Sequence, residues 1–96
     1  MRDYNSRVGT REWLRFLGTV QGVGFLSRAM VAADDAGVTG WAHSAPDGAV
    51  CMELQGTRDQ IAHVIRQIQQ GKQVEIRRIE VRTIPLRLDE TLFRVI

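Results

Sequence analysis

Hydrophobic and polar positions change period repeatedly along this chain, and the changes outline its elements. Leu14 and Phe16 alternate with Trp13, Arg15 and Leu17, the period of two that a strand requires. Phe25, Ala29, Ala32, Ala33 and Ala36 then fall on one face at helical spacing, with small side chains that let a helix lie close against a sheet. Gly37 stands where a helix C-terminal glycine belongs. Val38 to Ser44 and Ala49 to Gln55 read as strands, with Val50, Met52 and Leu54 on one face. Ala45-Pro46-Asp47-Gly48 between them is a turn, so the two form a hairpin. Thr57-Arg58-Asp59-Gln60 fits a capping box, and Ile61, Val64, Ile65 and Ile68 give the following helix its apolar stripe. Gly71 ends it. Val74 to Ile84 is rich in β-formers and is closed by Pro85, and Leu92 to Ile96 supplies a short last strand.

The order βαββαβ, with right-handed crossovers, predicts an α+β fold: the ferredoxin-like sandwich. Its sheet is four-stranded and antiparallel, extended by the short C-terminal strand, with two helices on one face. That fold hosts many activities and fixes none. Residues 1–10 are polar and read as a flexible extension, and residues 11–96 as one domain. No internal repeat or low-complexity linker interrupts the pattern.

Composition narrows the class. The 96 residues are 44% hydrophobic and 25% charged, ordinary for a globular domain. No apolar run approaches the roughly 20 residues of a membrane span, and the N-terminus lacks a secretory core; the expectation is a cytoplasmic monomer with no membrane partner. The lone Cys51 cannot close an internal disulfide, and no Cys/His cluster has metal-binding spacing. A catalytic thiol is not expected, because no histidine is placed to activate it. The net charge of +2 favours small anions and is too scattered for nucleic acid. An RNA-recognition sheet needs aromatic residues on its central strands; Trp13 and Phe16 have opposite parity and the third strand has none.

The candidate chemistry lies between the first strand and the first helix. Gly18-Thr-Val-Gln-Gly-Val-Gly-Phe25 can turn successive backbone N–H groups toward one point, and the helix adds its positive end. The backbone of Gln21, Gly22, Val23, Gly24 and Phe25 is thus a candidate phosphate cradle.

This stretch resembles the acylphosphatase signature G-x-V-Q-G-V-G-F-R. Gly37-Val-Thr-Gly-Trp41, with Asp47-Gly48 and Val50, resembles the second signature of that family, G-L-x-G-W-V-x-N-x-x-D-G-x-V. The resemblance covers roughly Leu14 to Val95. It implies the same sandwich and hydrolysis of the carboxyl–phosphate bond of acyl phosphates, without metal or cofactor. It also implies that the amides of Gln21 to Phe25 hold the phosphate of a small anion such as an acyl phosphate. In active members the arginine ending the first motif binds it too, and an asparagine in the second orients the attacking water.

Both reacting side chains differ here. Leu26 stands at the arginine position and Ser44 at the asparagine position. Leucine offers neither the planar fork of donors nor the charge of a guanidinium. Arginines that stabilise transferring phosphoryl groups are worth roughly 10³–10⁵ in rate. Serine is shorter than asparagine and has fewer polar groups, and losing one orienting contact costs about 10²-fold where geometry is tight. The expectation is an inactive or strongly impaired site; the alternative is a non-catalytic relative that binds an anion or a protein. Arg7, Arg11 and Arg15 are possible substitutes for the guanidinium, with Arg7 and Arg11 expected to be mobile. Arg28 should point away from the loop. His43, next to Ser44, should face the other side of its strand. Leu26 is expected to pack against Met30, His63 to be solvated, Trp41 to lie near the sheet edge, and Arg77, Arg78 and Arg82 to form a solvated strand face.

Overall fold

A computed structural model describes residues 9–96. Strand β1 (Thr10–Thr19) leads to helix α1 (Phe25–Ala36); then come strands β2 (Thr39–Ser44) and β3 (Val50–Gly56), helix α2 (Arg58–Gln69), strand β4 (Glu75–Ile84) and strand β5 (Phe93–Val95). The predicted order is therefore found. Most of the expected extension lies outside the described residues, and Thr10 already belongs to β1.

The sheet order is β4-β1-β3-β2-β5. The first four strands are antiparallel, and β5 pairs parallel to β2, with Gly40 opposite Phe93. The added strand makes the sheet mixed and moves its edge outward. Trp41 lies one strand in from that edge, opposite Arg94, near the sheet edge as expected.

Alternation decides which face is buried. Leu14 and Phe16 of β1, Ala42 of β2, and Val50, Met52 and Leu54 of β3 join Phe93 in one apolar cluster. The same cluster takes in Phe25, Ala29, Ala32 and Ala33 of α1 and Ile61, Val64 and Ile68 of α2, so both helices cover the same face. Helix α2 starts at the predicted capping box: the Gln60 amide donates to the Thr57 hydroxyl, and the Thr57 amide donates to the Gln60 side chain. The opposite sheet face stays open. There Cys51 sits half-buried, in register with Arg15 on one side and His43 on the other.

Two features lie where the chain enters the site. The β1–β4 register slips between Leu17 and Gly18, leaving Arg77 as an extra residue on β4. Such a bulge bends the strand that carries it, here β4 where it flanks the start of the glycine loop. The Phe16 and Phe25 rings then meet edge to face at 5.1 Å, fixing the first residue of α1 to β1.

Two expectations need correction. Arg11 is not mobile: it is 1% exposed. Its guanidinium donates to Glu53 at 2.7 Å, to Glu90 at 2.8 and 3.2 Å, and to Gln55 at 3.1 Å. His63 is half-buried, 3.6 Å from Asp35 across the two helices, and so is only partly solvated. Arg77, Arg78 and Arg82 are exposed as expected, with Arg82 lying over the Trp13 ring at 5.6 Å. Among the described residues, no helix is long and apolar enough to cross a membrane.

Candidate active site

The glycine loop ends directly in α1, and the helix has no side-chain cap. Gly24 occupies the N-cap position with φ 77°, no side chain satisfies the first amides, and the first turn holds no acidic residue. The Arg28 amide donates to the Gly24 carbonyl. The amides of Phe25, Leu26 and Ser27 precede that bond and have no partner within the helix. Gly22, with φ 71°, adds a second left-handed position two residues before Gly24. Both need glycine for their backbone angle and not for want of space, because a Cβ at either would meet nothing within 4 Å. Alternation of this kind turns successive amides into one concavity.

The concavity is a cleft of about 200 Å³. Gln21, Gly22, Gly24, Leu26, Ser27 and Ser44 line it, with Val20 and Phe25 buried beneath. The structure thus brings Leu26 and Ser44, from separate motifs, to the walls of one cleft. Val23 is the exception among the predicted loop residues: its side chain packs against the core and does not line the cleft. Leu26 is half-buried and also packs on the core, while Met30 is 40% exposed. Ser44 ends β2 on the helix side of the sheet. His43 points to the other face, where it stacks on Trp41 at 5.4 Å.

Two features of the site were missed in the sequence. Ser27 puts a second hydroxyl on the cleft wall, at the third residue of the helix; its place in the first turn was the available signal. The side chain of Gln21 is a tether. Its amide nitrogen donates to the Ala45 carbonyl at 2.7 Å and the Ala49 carbonyl at 2.9 Å, tying the glycine loop to the β2–β3 turn. Only the folded hairpin makes that turn available.

None of the candidate arginines among the described residues lines the cleft. Arg15 donates to Asp47 on the open face of the sheet and lies 3.4 Å from Glu80. The hydrogen bond from Arg15 holds the Asp47 carboxyl below its ordinary range, with the Ala49 amide adding to the effect. Arg11 is enclosed with Glu53 and Glu90. Burial opposes its charge, but the hydrogen bonds to Glu90 and Glu53 outweigh burial and raise its pKa. Arg28 lies beside Gly71 and shares a separate cleft with Asp35, His63 and Gln67. Arg7 is outside the described residues. Among the described residues no group of three or more His, Cys, Asp and Glu could hold a metal ion.

Comparison with known proteins adds the lineage. The acylphosphatase family model matches residues 13–95. An acylphosphatase of Bifidobacterium longum is 34% identical over 82 residues, which are 84% of each chain. One of Bordetella parapertussis is 44% identical over 54 residues, 56% of this chain and 57% of its own, so the chain spans little more than half of that relative. Among solved structures, the acylphosphatase of Coxiella burnetii superposes with a TM-score of 0.79 at 28% identity, over 90% of each chain. That of Bacillus subtilis gives 0.81 at 22% identity, over 90% of this chain and 97% of its own. Motif, fold and relatives agree, and the chain belongs to the acylphosphatase family.

Proposed function

We propose that this protein binds a small phosphate-type anion on the backbone amides from Gln21 to Phe25, extended by the amides of Leu26 and Ser27. We infer further that it hydrolyses acyl phosphates very slowly or not at all. The observation that carries both statements is the uncapped start of α1, opening into a cleft with no charged side chain on its described walls. Free amides suit an oxyanion. Hydrolysis asks for more: stabilisation of the charge that develops as the bond breaks, and a held water. Leu26 contributes nothing to the first. The Ser44 hydroxyl is the group left for the second, with Ser27 across the cleft. The reading includes a cytoplasmic monomer that needs no metal or cofactor and does not bind nucleic acid.

Turnover of acetyl phosphate tests it. The expected result is a rate indistinguishable from buffer, or nearly so, at high protein concentration. Leu26→Arg combined with Ser44→Asn should then raise hydrolysis by at least about 10³-fold, the scale on which arginines act in phosphoryl transfer. Turnover by the unaltered protein at an ordinary enzymatic rate, about 1–10³ s⁻¹, overturns the impairment. The non-catalytic end of this range, anion binding with no turnover, is favoured by Leu26 itself, which packs on the core as a structural residue. Anion binding with no detectable hydrolysis distinguishes it.

A further inference from the structure

We propose that the cleft at the start of α1 selects a singly charged oxyanion carrying an apolar group, of the phosphodiester class, over a doubly charged phosphate. The inference rests on the anion cradle just described and narrows its ligand.

The described walls supply partial charges only. A helix N-terminus is equivalent to roughly half a positive charge. The hydroxyls of Ser27 and Ser44 are neutral donors. The nearest arginine on β1, Arg15, is matched by Asp47 and Glu80, and so adds little net charge. The first negative charge of a ligand therefore meets free amides that suit it. A second would enter the same cleft with no ionic partner on the described walls. It would also give up the part of its water that faces Leu26, over a floor of Val20 and Phe25 that are each 1% exposed. Taking an unpaired charge out of water is costly, whereas an apolar substituent placed against the same leucine is favoured. An arginine in place of Leu26 would invert this balance, because a guanidinium pairs with two phosphate oxygens and carries a full charge. One substitution thus changes the preferred ligand class as well as the reaction rate.

The test compares two ligands that differ by one methyl group and one charge. At about pH 8 methyl phosphate is doubly charged, since phosphate monoesters lose their second proton near pH 6, and dimethyl phosphate is singly charged. Each is titrated at constant ionic strength against the ¹⁵N-labelled protein. The expected result is movement of the Gly22, Gly24, Phe25, Leu26 and Ser27 amides, with dimethyl phosphate binding at least about threefold more tightly. Equal affinity, or tighter binding of methyl phosphate, overturns the selectivity while leaving the cradle standing. Shifts absent from those amides with both ligands overturn the cradle and the selectivity together. In Leu26→Arg the order should reverse, with methyl phosphate gaining about tenfold or more. Should that variant fail to fold, the comparison on the unaltered protein decides the question alone.

Discussion

Replacing Arg11 with methionine removes the one charged side chain that the described fold takes almost wholly out of water, at 1% exposure. Methionine keeps the length and apolar stem but leaves two carboxylates facing each other. Glu90 and Glu53 keep only 14% and 20% of their side-chain exposure, so neither can rehydrate fully. Breaking a buried ion pair by removing one partner costs about 3–5 kcal/mol. The residual exposure of the glutamates places this case near the lower end, at about 3 kcal/mol. A domain of this size has about 5–15 kcal/mol in total, so the variant should still fold but be strongly weakened. With a urea dependence of about 1–1.5 kcal/mol/M, the unfolding midpoint should fall by about 2–3 M. Adding Glu53→Gln and Glu90→Gln removes the stranded charges and should recover at least half of the loss. A loss under about 1 kcal/mol for Arg11→Met, the scale of an exposed ion pair, would refute the argument that burial makes this cluster strong.

Two further outcomes follow from the same structure. Burial pushes the Glu90 carboxyl up, but hydrogen bonds from Arg11 and Thr39 outweigh it and hold its pKa below the ordinary value. A lowered carboxyl stabilises the fold above its unfolded pKa, and that stability is lost as pH falls through the folded value. Urea midpoints taken between about pH 5 and about pH 3 should fall more for the unaltered protein than for Glu90→Gln, and equal falls would refute it. Gln21→Ala should cost about 1 kcal/mol by cutting both tethers to the β2–β3 turn, and should weaken the phosphate-induced amide shifts of the loop. An unchanged midpoint with unchanged shifts would show the tether to be idle.

Much of the fold was legible locally. The Thr57–Gln60 box, the alanine face of α1 and the Pro46–Gly48 turn each state their structure within a few residues, because caps, helical faces and turns are local physics. The glycine loop was legible for the same reason: positive φ at Gly22 and Gly24 is a demand that few residues other than glycine meet. What misled was anything set by distant partners. Arg11 sits near the chain start among polar residues, which suggested mobility. Its partners lie 42 and 79 positions away, and no local pattern announces them.

The sequence by itself determined the element order, the buried faces, the left-handed glycines of the loop and the identity of Leu26 and Ser44. Tertiary structure alone decided that those two side chains face one cleft with Ser27, that Gln21 pins the loop to a turn, and that Arg15 and Arg11 are held by carboxylates away from it. The physical reason is range. Backbone angles and periodicity are set by neighbours in the chain. Ion pairing and cleft walls are set by which strands come together, and that is fixed only when the whole core closes.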